Sequence, residues 1–312
     1  MVIPLLLVIS FIGFSLIFIT PGSPFDRERK PASPDVERNL LHKFHKDEPF
    51  LKQYLRYIGI GWDRDEHGKV HWFEGGLIRG DFGPSQIYRN HGVNDIIAEG
   101  LPVSLTLGFM AFGFAMGLGI PLGFITAVKR SGWQDYAGSL AAILAVCIPG
   151  LVVGPVLIVS FAIHFRWFPV ALWESPWHAV LPMTALGLYF CGRVARLMRE
   201  GMLNIMQSEF VTAARAKGMS ETVLLLKHAV RIAILPVVSY SGPMLADLLT
   251  GSFVIETIFG VPGLGTPFVN SELNRDSPMV VGLILLYAFM LVVMNLLVDF
   301  AYVVLDRRVK YE

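Results

Sequence analysis

Two carboxylates, Asp247 and Glu256, interrupt the otherwise uncharged and mostly apolar stretch 232–259. Placing a charge in hydrocarbon costs about 3 kcal/mol or more, so ionisable residues in such stretches usually have a function. Asp247, nearest the middle, is expected to line a solute pathway and bind a cationic group, or to pair with a partner subunit. The structural alternative is a hydrogen-bonded carboxylate that faces a neighbouring helix. Glu256 lies near one end and is expected to contact a docked protein or to close an external gate.

Other patterns that could bind a metal or a nucleotide are weak. His42 and His45 are three residues apart, and His67 and His71 are four apart, but no cysteine or carboxylate set accompanies them in a ligand pattern. We therefore expect no metal site. The phosphate-binding pattern G-x-x-x-x-G-K-[ST] is absent, since the only Gly-Lys pair, at 68–69, is followed by valine. No nucleophile–base constellation occurs either, so neither ATP hydrolysis nor another catalytic activity is expected, and no cofactor.

The composition places the chain in a membrane. Of 312 residues, 54% are hydrophobic and 16% charged, whereas soluble domains are roughly 25% charged. The net charge is +1 and the basic residues are dispersed, which argues against a nucleic-acid partner. Cys147 and Cys191 lie in apolar segments and are expected to pack as small hydrophobic residues.

Uncharged runs long enough to cross a bilayer predict six transmembrane helices. About 20 apolar residues are needed for one crossing, and backbone groups in lipid must bond within the protein, so the crossings are helices. The predicted spans are 1–20, 101–128, 136–163, 175–192, 232–259 and 277–298. The first is interpreted as a retained signal anchor rather than a cleaved signal peptide, because it has no basic start.

Basic residues in short loops set the orientation, because Lys and Arg favour the cytoplasmic side. The loops 129–135 and 193–231 and the C-terminal end carry twelve of them, whereas the opposite short loops carry only Arg166 and Arg275. Both termini are therefore predicted to be cytoplasmic. The predicted organisation is a first span (1–20), an external cap (21–100), and a five-helix core (101–312) that contains the cytoplasmic loop 193–231.

The segment 204–236 divides into two predicted helices around one glycine. Ser208 is the expected N-cap of the first helix, with Glu209 in its first turn, where a carboxylate favours the helix dipole. Gly218 suits the left-handed conformation of a helix end. Ser220 and Glu221 are expected to cap a second helix whose apolar residues face apolar surroundings; these are Val223, Leu224, Leu226, Ala229 and Val230. From these residues alone, an amphipathic segment lying on the membrane is an equally good interpretation.

This segment also resembles the cytoplasmic loop of permeases of ATP-binding cassette (ABC) importers, whose pattern is Glu-Ala-Ala, three residues, Gly, and a later Leu-Pro. The residues that match are Ala213, Ala214, Gly218, Leu235 and Pro236. Thr212 stands where the pattern has Glu, so no role of that carboxylate carries over. Further blocks, among them GDFGPS at 80–85, GSFVIETIFGVPGLG at 251–265 and RDSPMVVGL at 275–283, resemble the oligopeptide, dipeptide and nickel permeases. The long first external loop indicates the first, B-type, of two paired subunits.

The resemblance implies an all-α type I importer permease in a bacterial inner membrane. Members of the family form half of a channel with a second, homologous permease, are driven by two cytoplasmic ATP-hydrolysing subunits, and receive solute from an external binding protein. The loop docks into an ATPase subunit, so that closure of the ATPases moves the spans. The residues assigned to this coupling are Glu209, Thr212, Ala213, Ala214, Lys217, Gly218, Leu235 and Pro236.

The substrate stays open between dipeptides, oligopeptides, nickel chelates and oligosaccharides, because the external protein does much of the selecting. Two other classes of function would require different sequence patterns. A self-sufficient secondary transporter needs paired inverted halves and ion-binding residues at the midplane, and a membrane enzyme needs clustered acid, base or nucleophile. Neither pattern is visible in the sequence.

Overall fold

Helices dominate the chain, as its long apolar runs require. The computed structural model describes residues 2–19, 39, 42, 45–64, 69–73, 75–88, 91–250 and 253–305. Its helices include α1 (Val2–Ile19), α2 (Phe50–Ile58), α3 (Val93–Val128), α4 (Trp133–Cys147), α5 (Gly150–His164), α6 (Pro176–Met206), α7 (Glu209–Ala216), α8 (Glu221–Ala233), α9 (Leu235–Thr250), α10 (Phe253–Phe259), α11 (Gly265–Asn274) and α12 (Ser277–Leu305). Among the described residues, strands occur in one antiparallel hairpin, β1 (Trp62–Arg64) with β2 (Val70–Trp72).

Two compact units divide the chain. The first comprises Met1–Pro102 and Gly263–Phe289, and the second comprises Val103–Pro262 and Met290–Glu312. The basic residues of 306–312 that enter the predicted orientation, the start of the predicted cap at 21–38, and His67 lie outside the described residues.

Aromatic contacts join α1 to α2 in the first unit. The rings of Phe14 and Tyr54 lie 5.6 Å apart between centroids, and those of Phe11 and Phe50 lie 5.9 Å apart. The Tyr54 hydroxyl also shares a 2.9 Å hydrogen bond with the hydroxyl of Ser10, so the polar end of this buried ring is satisfied. Two aromatic residues of the predicted external cap, Phe50 and Tyr54, are therefore packed on the first apolar helix.

A buried carboxylate holds the start of α12 in the first unit. Asp276 has no exposed surface, accepts a hydrogen bond from the Ser85 hydroxyl, and accepts a longer one of 3.4 Å from the Met279 N–H in the first turn of α12. Burial lowers the pKa of Lys46, and the nearby charge of Asp276 partly opposes that shift. The blocks GDFGPS and RDSPMVVGL, which are far apart in sequence, thus meet through Ser85 and Asp276.

Glycines let α3 approach α6 closely in the second unit. A Cβ on Gly119 would lie 2.8 Å from the Cys191 carbonyl oxygen, and one on Gly123 would lie 2.3 Å from that of Ala195. Only a residue without a side chain fits at such distances. Gly113 and Gly117 of the same helix, in contrast, have open space around them, so packing within this chain accounts for glycine at 119 and 123 but not at 113 and 117.

The predicted span 136–163 is not one straight helix. It consists of α4 and α5, which are bent by 106° at a break around Ile148 and Pro149. Ile148 is extended (φ −82°, ψ 120°) because the ring of a following proline disfavours helical backbone at the residue before it. Pro155, Pro182 and Pro243 lie within helices, so proline itself did not predict where a span would break.

The other predicted spans differ from the helices mainly in length. Within the described residues, α3 and the part Ser277–Leu297 of α12 are long and apolar enough to cross a membrane by themselves, and the bent pairs α4–α5 and α8–α9 raise this number to four if each is one span. Helix α6 continues from the predicted end at 192 to Met206. The arginines after residue 192 indicate where the apolar part of the helix ends. Arginine is a good helix former, however, so the helix itself continues.

Candidate functional site

Helix α7 begins at the predicted residue, but it is held there by a different contact. Ser208 occupies the N-cap position with extended backbone, yet its side chain makes no hydrogen bond to α7. Its hydroxyl instead donates to the carbonyl of Ile205, at 2.7 Å, at the end of α6. The side chain of Ser208 therefore stabilises the end of α6 rather than the start of α7. Glu209 is exposed in the first turn of α7.

Gly218 ends α7 as predicted. It adopts φ +78°, its N–H donates to the Arg215 carbonyl at 2.9 Å, and the Met219 N–H donates to the Ala214 carbonyl at 3.2 Å. These two bonds form a Schellman motif, which satisfies carbonyls that the helix end leaves open. An added Cβ would meet no atom within 4 Å, so the requirement for glycine is conformational rather than steric.

The two sides of α7 differ in exposure. Val211 is fully buried, and α7 contacts the turn Leu224–Ala229 of α8. Thr212 and Ala213 are exposed, as is Lys217 at the end of the helix. Phe210, in the first turn, is 38% exposed. The exposed side of α7 thus presents small side chains next to an aromatic ring, on a helix whose other side packs at Val211.

The second helix, α8, differs from the prediction at its start. Ser220 makes no side-chain cap, and Glu221 reaches back across the turn to Arg215, with Nε and Oε1 2.6 Å apart. This hydrogen bond raises the pKa of Arg215. Leu224, Leu225 and Ala229 are buried within the chain, whereas Val223 and Leu226 are exposed on its surface, so apolar surroundings for these two stay a prediction. Residues Leu224–Ala229 form a π-helical turn, which rotates their side chains away from the positions of a regular helix. We call residues 208–233 the coupling segment.

The coupling segment is joined closely to α6. A Cβ on Gly201 of α6 would lie 2.3 Å from the carbonyl oxygen of Ala233 at the end of α8. The next helix, α9, then leaves at an angle of 47°, because Pro236 has no N–H for the helical ladder. Leu235 is half-buried and Pro236 is exposed. Helix α8 therefore lies between α7 and two longer helices, α6 and α9.

Asp247 lies on an exposed polar face that α9 shares with α6. Arg193 of α6 donates a 3.0 Å hydrogen bond to the hydroxyl of Tyr189, one turn earlier, and its guanidinium carbon lies 5.0 Å from the centre of the Tyr240 ring of α9. Arg193 and Asp247 are both exposed and close enough to interact electrostatically. Within the described residues, neither forms an ion pair. We call Tyr189, Arg193, Tyr240 and Asp247 the polar face.

Glu256 does not lie on this face. It is 1% exposed, and its carboxylate accepts a 2.9 Å hydrogen bond from the hydroxyl of Ser104 on α3. This contact ties α10 to α3 within the second unit and leaves the carboxylate no surface for a solute or a docked protein. The structure does not bring together the two carboxylates that the sequence predicts as pathway residues.

The sequence alone does not identify every member of the polar face. It places Arg193 in a predicted cytoplasmic loop and gives no signal for Tyr189 or Tyr240. The spacing of Tyr189 and Arg193, four residues apart, places both on one side of a helix. This spacing predicts a shared helix face only if α6 continues past residue 192, where the predicted span ends.

A second charged contact links α4 and α6. The guanidinium of Arg199 donates to both oxygens of Asp135, at 2.9 and 3.0 Å. A cleft of about 510 Å³ lies alongside, lined in part by Ser139, Arg196 and Glu200. Among the described residues, no three His, Cys, Asp or Glu side chains come together in a group that could hold a metal.

Comparison with known proteins assigns the family. The sequence pattern described as "Binding-protein-dependent transport system inner membrane component" matches residues 119–311. The chain belongs to this family. It is therefore a multi-pass inner-membrane permease that works with a binding protein, rather than a self-sufficient secondary transporter.

Relatives match this family member over almost its entire length. It is 38% identical to the oligopeptide transport system permease protein OppB of Haemophilus influenzae, over 99% of this chain and 96% of the relative. It is 39% identical to the dipeptide transport system permease protein DppB of Bacillus subtilis, over 98% and 94%. A chain of the methionine ABC transporter MetNI, in an inward-facing conformation, matches its fold with a TM-score of 0.58 at 17% identity, over 68% of this chain and 97% of that one. The permease has the helical fold of an ABC importer.

Proposed function

We propose that this permease imports dipeptides, oligopeptides or similar small solutes as the B-type half of a heterodimeric ABC importer. The observation that carries the proposal is the identity of 38–39% to oligopeptide and dipeptide permeases over nearly the entire chain. The proposed complex contains a second homologous permease, two cytoplasmic ATP-hydrolysing subunits and an external solute-binding protein. In this complex, this chain forms part of the solute pathway and transmits the motion of the ATPase subunits to it. The partners hydrolyse ATP and capture the solute.

The proposed topology has six spans with both termini in the cytoplasm. The first span is α1, followed by the external cap 21–100 and the core 101–312. The bent pair α4–α5 counts as one span, α6 supplies another whose end extends into the cytoplasm, and α9 with α10 supplies the fifth, while α8 stays in the cytoplasmic loop. The excess of basic residues around 193–231 supports this orientation. Cysteine labelling from either side of the membrane tests it, with Lys217→Cys or Lys69→Cys in a chain whose Cys147 and Cys191 are replaced by serine; labelling of both positions from the same side would contradict it.

The coupling segment is the proposed contact with an ATPase subunit. The exposed residues Thr212 and Ala213 on α7 offer small side chains beside the partly exposed ring of Phe210, and the buried Val211 keeps that surface fixed on α8. Glu209 and Lys217 flank it, Gly218 supplies the turn, and Leu235 with Pro236 forms the bend into α9. Half-buried Ala214 is proposed to keep the helix close to its support.

Asp247 is the proposed pathway residue. It is exposed on a helix whose neighbours pack into the core, and within the described residues it has no hydrogen-bond partner. For Glu256, the hydrogen bond to Ser104 supports a different proposal, in which it stabilises α10 against α3. A gate or docking role for Glu256 requires that this contact open.

Uptake by the complete complex tests the proposed function. The permease is purified with its companion subunits and reconstituted into proteoliposomes that contain ATP. Labelled dialanine and tetra-alanine are supplied outside together with the binding protein. We expect accumulation that requires ATP and the binding protein. Accumulation by the isolated chain without ATP, or failure of the complete complex to move any peptide, would contradict the proposal.

A further inference from the structure

The exposed side of α9 is unsuited to lipid. Among its described side chains between Leu235 and Leu249, no large hydrophobic residue is exposed, whereas Pro236, Ser239, Pro243 and Asp247 are. Helix α4 shows the opposite composition, since Tyr136 is 70% and Leu140 is 58% exposed. Polar and ionisable side chains in membrane helices face protein or a water-filled cavity. The exposed side of α9 therefore faces another protein surface or a water-filled cavity rather than acyl chains.

Arg193 is held in place at this surface without a carboxylate partner. The Tyr189 hydroxyl accepts one of its hydrogen bonds, and the Tyr240 ring lies 5.0 Å from the guanidinium carbon, within the range of a cation–π contact. A guanidinium has five N–H donors in a planar fork that matches a carboxylate. The two tyrosines thus orient the group while leaving donors for a ligand.

Asp247 supplies the opposite charge nearby. The charge of Arg193 acts electrostatically on the Asp247 carboxylate. The guanidinium nitrogens and the carboxylate oxygens are nevertheless more than 4.0 Å apart, which is the limit for an ion pair. Two groups that could neutralise each other remain apart on one polar face. A solute with a carboxylate and an ammonium group would satisfy both at once. Peptides with free termini carry both charges near pH 7, since terminal carboxyl groups titrate near pH 3.5 and terminal amines near pH 8.

We propose that Arg193 and Asp247 form a transient binding site for zwitterionic solutes, in which Arg193 binds the carboxylate and Asp247 binds the ammonium group. Tyr189 and Tyr240 are positioning residues for the guanidinium. The inference rests on the proposed peptide import and adds to it a chemical requirement within the membrane, separate from selection by the external protein.

The test measures peptide moved per ATP hydrolysed, in the complete complex and with labelled dialanine as the probe. Arg193→Gln and Asp247→Asn should each lower this ratio about tenfold, as expected when one charge-assisted hydrogen bond is lost. Binding-protein stimulation of ATP hydrolysis should persist, because the coupling segment is unchanged. Arg193→Lys, which keeps the charge but loses the planar fork, should recover part of the ratio.

Arg196→Gln is the matched control. Arg196 is also exposed on α6, three residues later, but it lines the cleft beside Arg199 and not the polar face. Its ratio should stay within about twofold of the wild type. The inference is overturned if Arg193→Gln and Asp247→Asn also stay within that range, or if either one releases the companion permease on copurification, since the charges would then join subunits. If the wild-type complex moves no peptide, the proposed function itself fails, which is a separate result.

Discussion

The coupling segment and the polar face use charge in opposite ways. In the coupling segment, Arg215 and Glu221 pair across the Gly218 turn, and the exposed side of α7 includes the small neutral residues Thr212 and Ala213. On the polar face, Arg193 and Asp247 lie near each other without forming an ion pair. Charges that pair with each other hold a surface in one shape, whereas charges without an ion-pair partner remain available to bind a ligand. The comparison suggests that the first surface binds by shape and the second by charge.

A bulky charge on α7 should break the first half of this comparison with the largest effect. Ala213 is exposed, so Ala213→Arg should fold normally but prevent close contact with an ATPase subunit. We expect copurified ATPase and peptide uptake to fall by at least about tenfold. Ala213→Ser, which keeps the small volume, should retain both. Normal copurification of the ATPase with Ala213→Arg would mean that α7 is not the contact.

The link between the coupling segment and α6 should be nearly as sensitive. In Gly201→Ala, the new Cβ would lie 2.3 Å from the Ala233 carbonyl oxygen, so α8 must shift. We expect a lower melting temperature in detergent and severalfold less uptake, even where ATPase subunits still bind. Gly113→Ala is the matched control, because that glycine has open space and alanine favours helix by about 1 kcal/mol. Equal behaviour of the two variants would exclude a mechanical role for this contact.

The sequence predicts the coupling segment well because its signals are local. Gly218 is recognisable from a helix end that requires positive φ, and both α7 and α8 start where polar residues precede helical patterns. The capping contacts themselves were wrong for Ser208 and Glu221, because each side chain found a partner outside the turn that it was expected to cap. Such choices depend on neighbours that come together only in the folded chain.

The polar face is harder to predict because it depends on tertiary contacts. Asp247 stands out in an uncharged run, but its relation to Arg193 requires that α6 continue through 193 and pack beside α9. Glu256 gives the same sequence signal as Asp247 and has the opposite environment, buried against Ser104. Hydropathy likewise cannot distinguish a straight span from the bent pair α4–α5, since both bury the same residues in the membrane.

A smaller change sharpens the second half of the comparison. Tyr240→Phe keeps the ring near Arg193 and removes only the hydroxyl, so the guanidinium should remain in place but with one polar neighbour fewer. Peptide moved per ATP should fall about two- to threefold, less than for Arg193→Gln, because the charge itself is retained. A loss as large as that of Arg193→Gln would instead assign the hydroxyl of Tyr240 a direct contact with solute.

Removing the ion pair of the coupling segment should have the smallest effect. Arg215 and Glu221 are exposed, and exposed ion pairs are weakened by water and by salt. In Arg215→Gln the Schellman bonds of Gly218 and Met219 remain, so uptake should change by less than about twofold. Hydrogen exchange at these two amides should rise slightly, and salt should raise it in the wild type but no longer in the variant. Lys227→Gln, which removes an exposed positive charge from α8, controls for net charge. If Arg215→Gln abolished uptake as Ala213→Arg is expected to, the coupling segment would bind its partner through charge, and the contrast with the polar face would be lost.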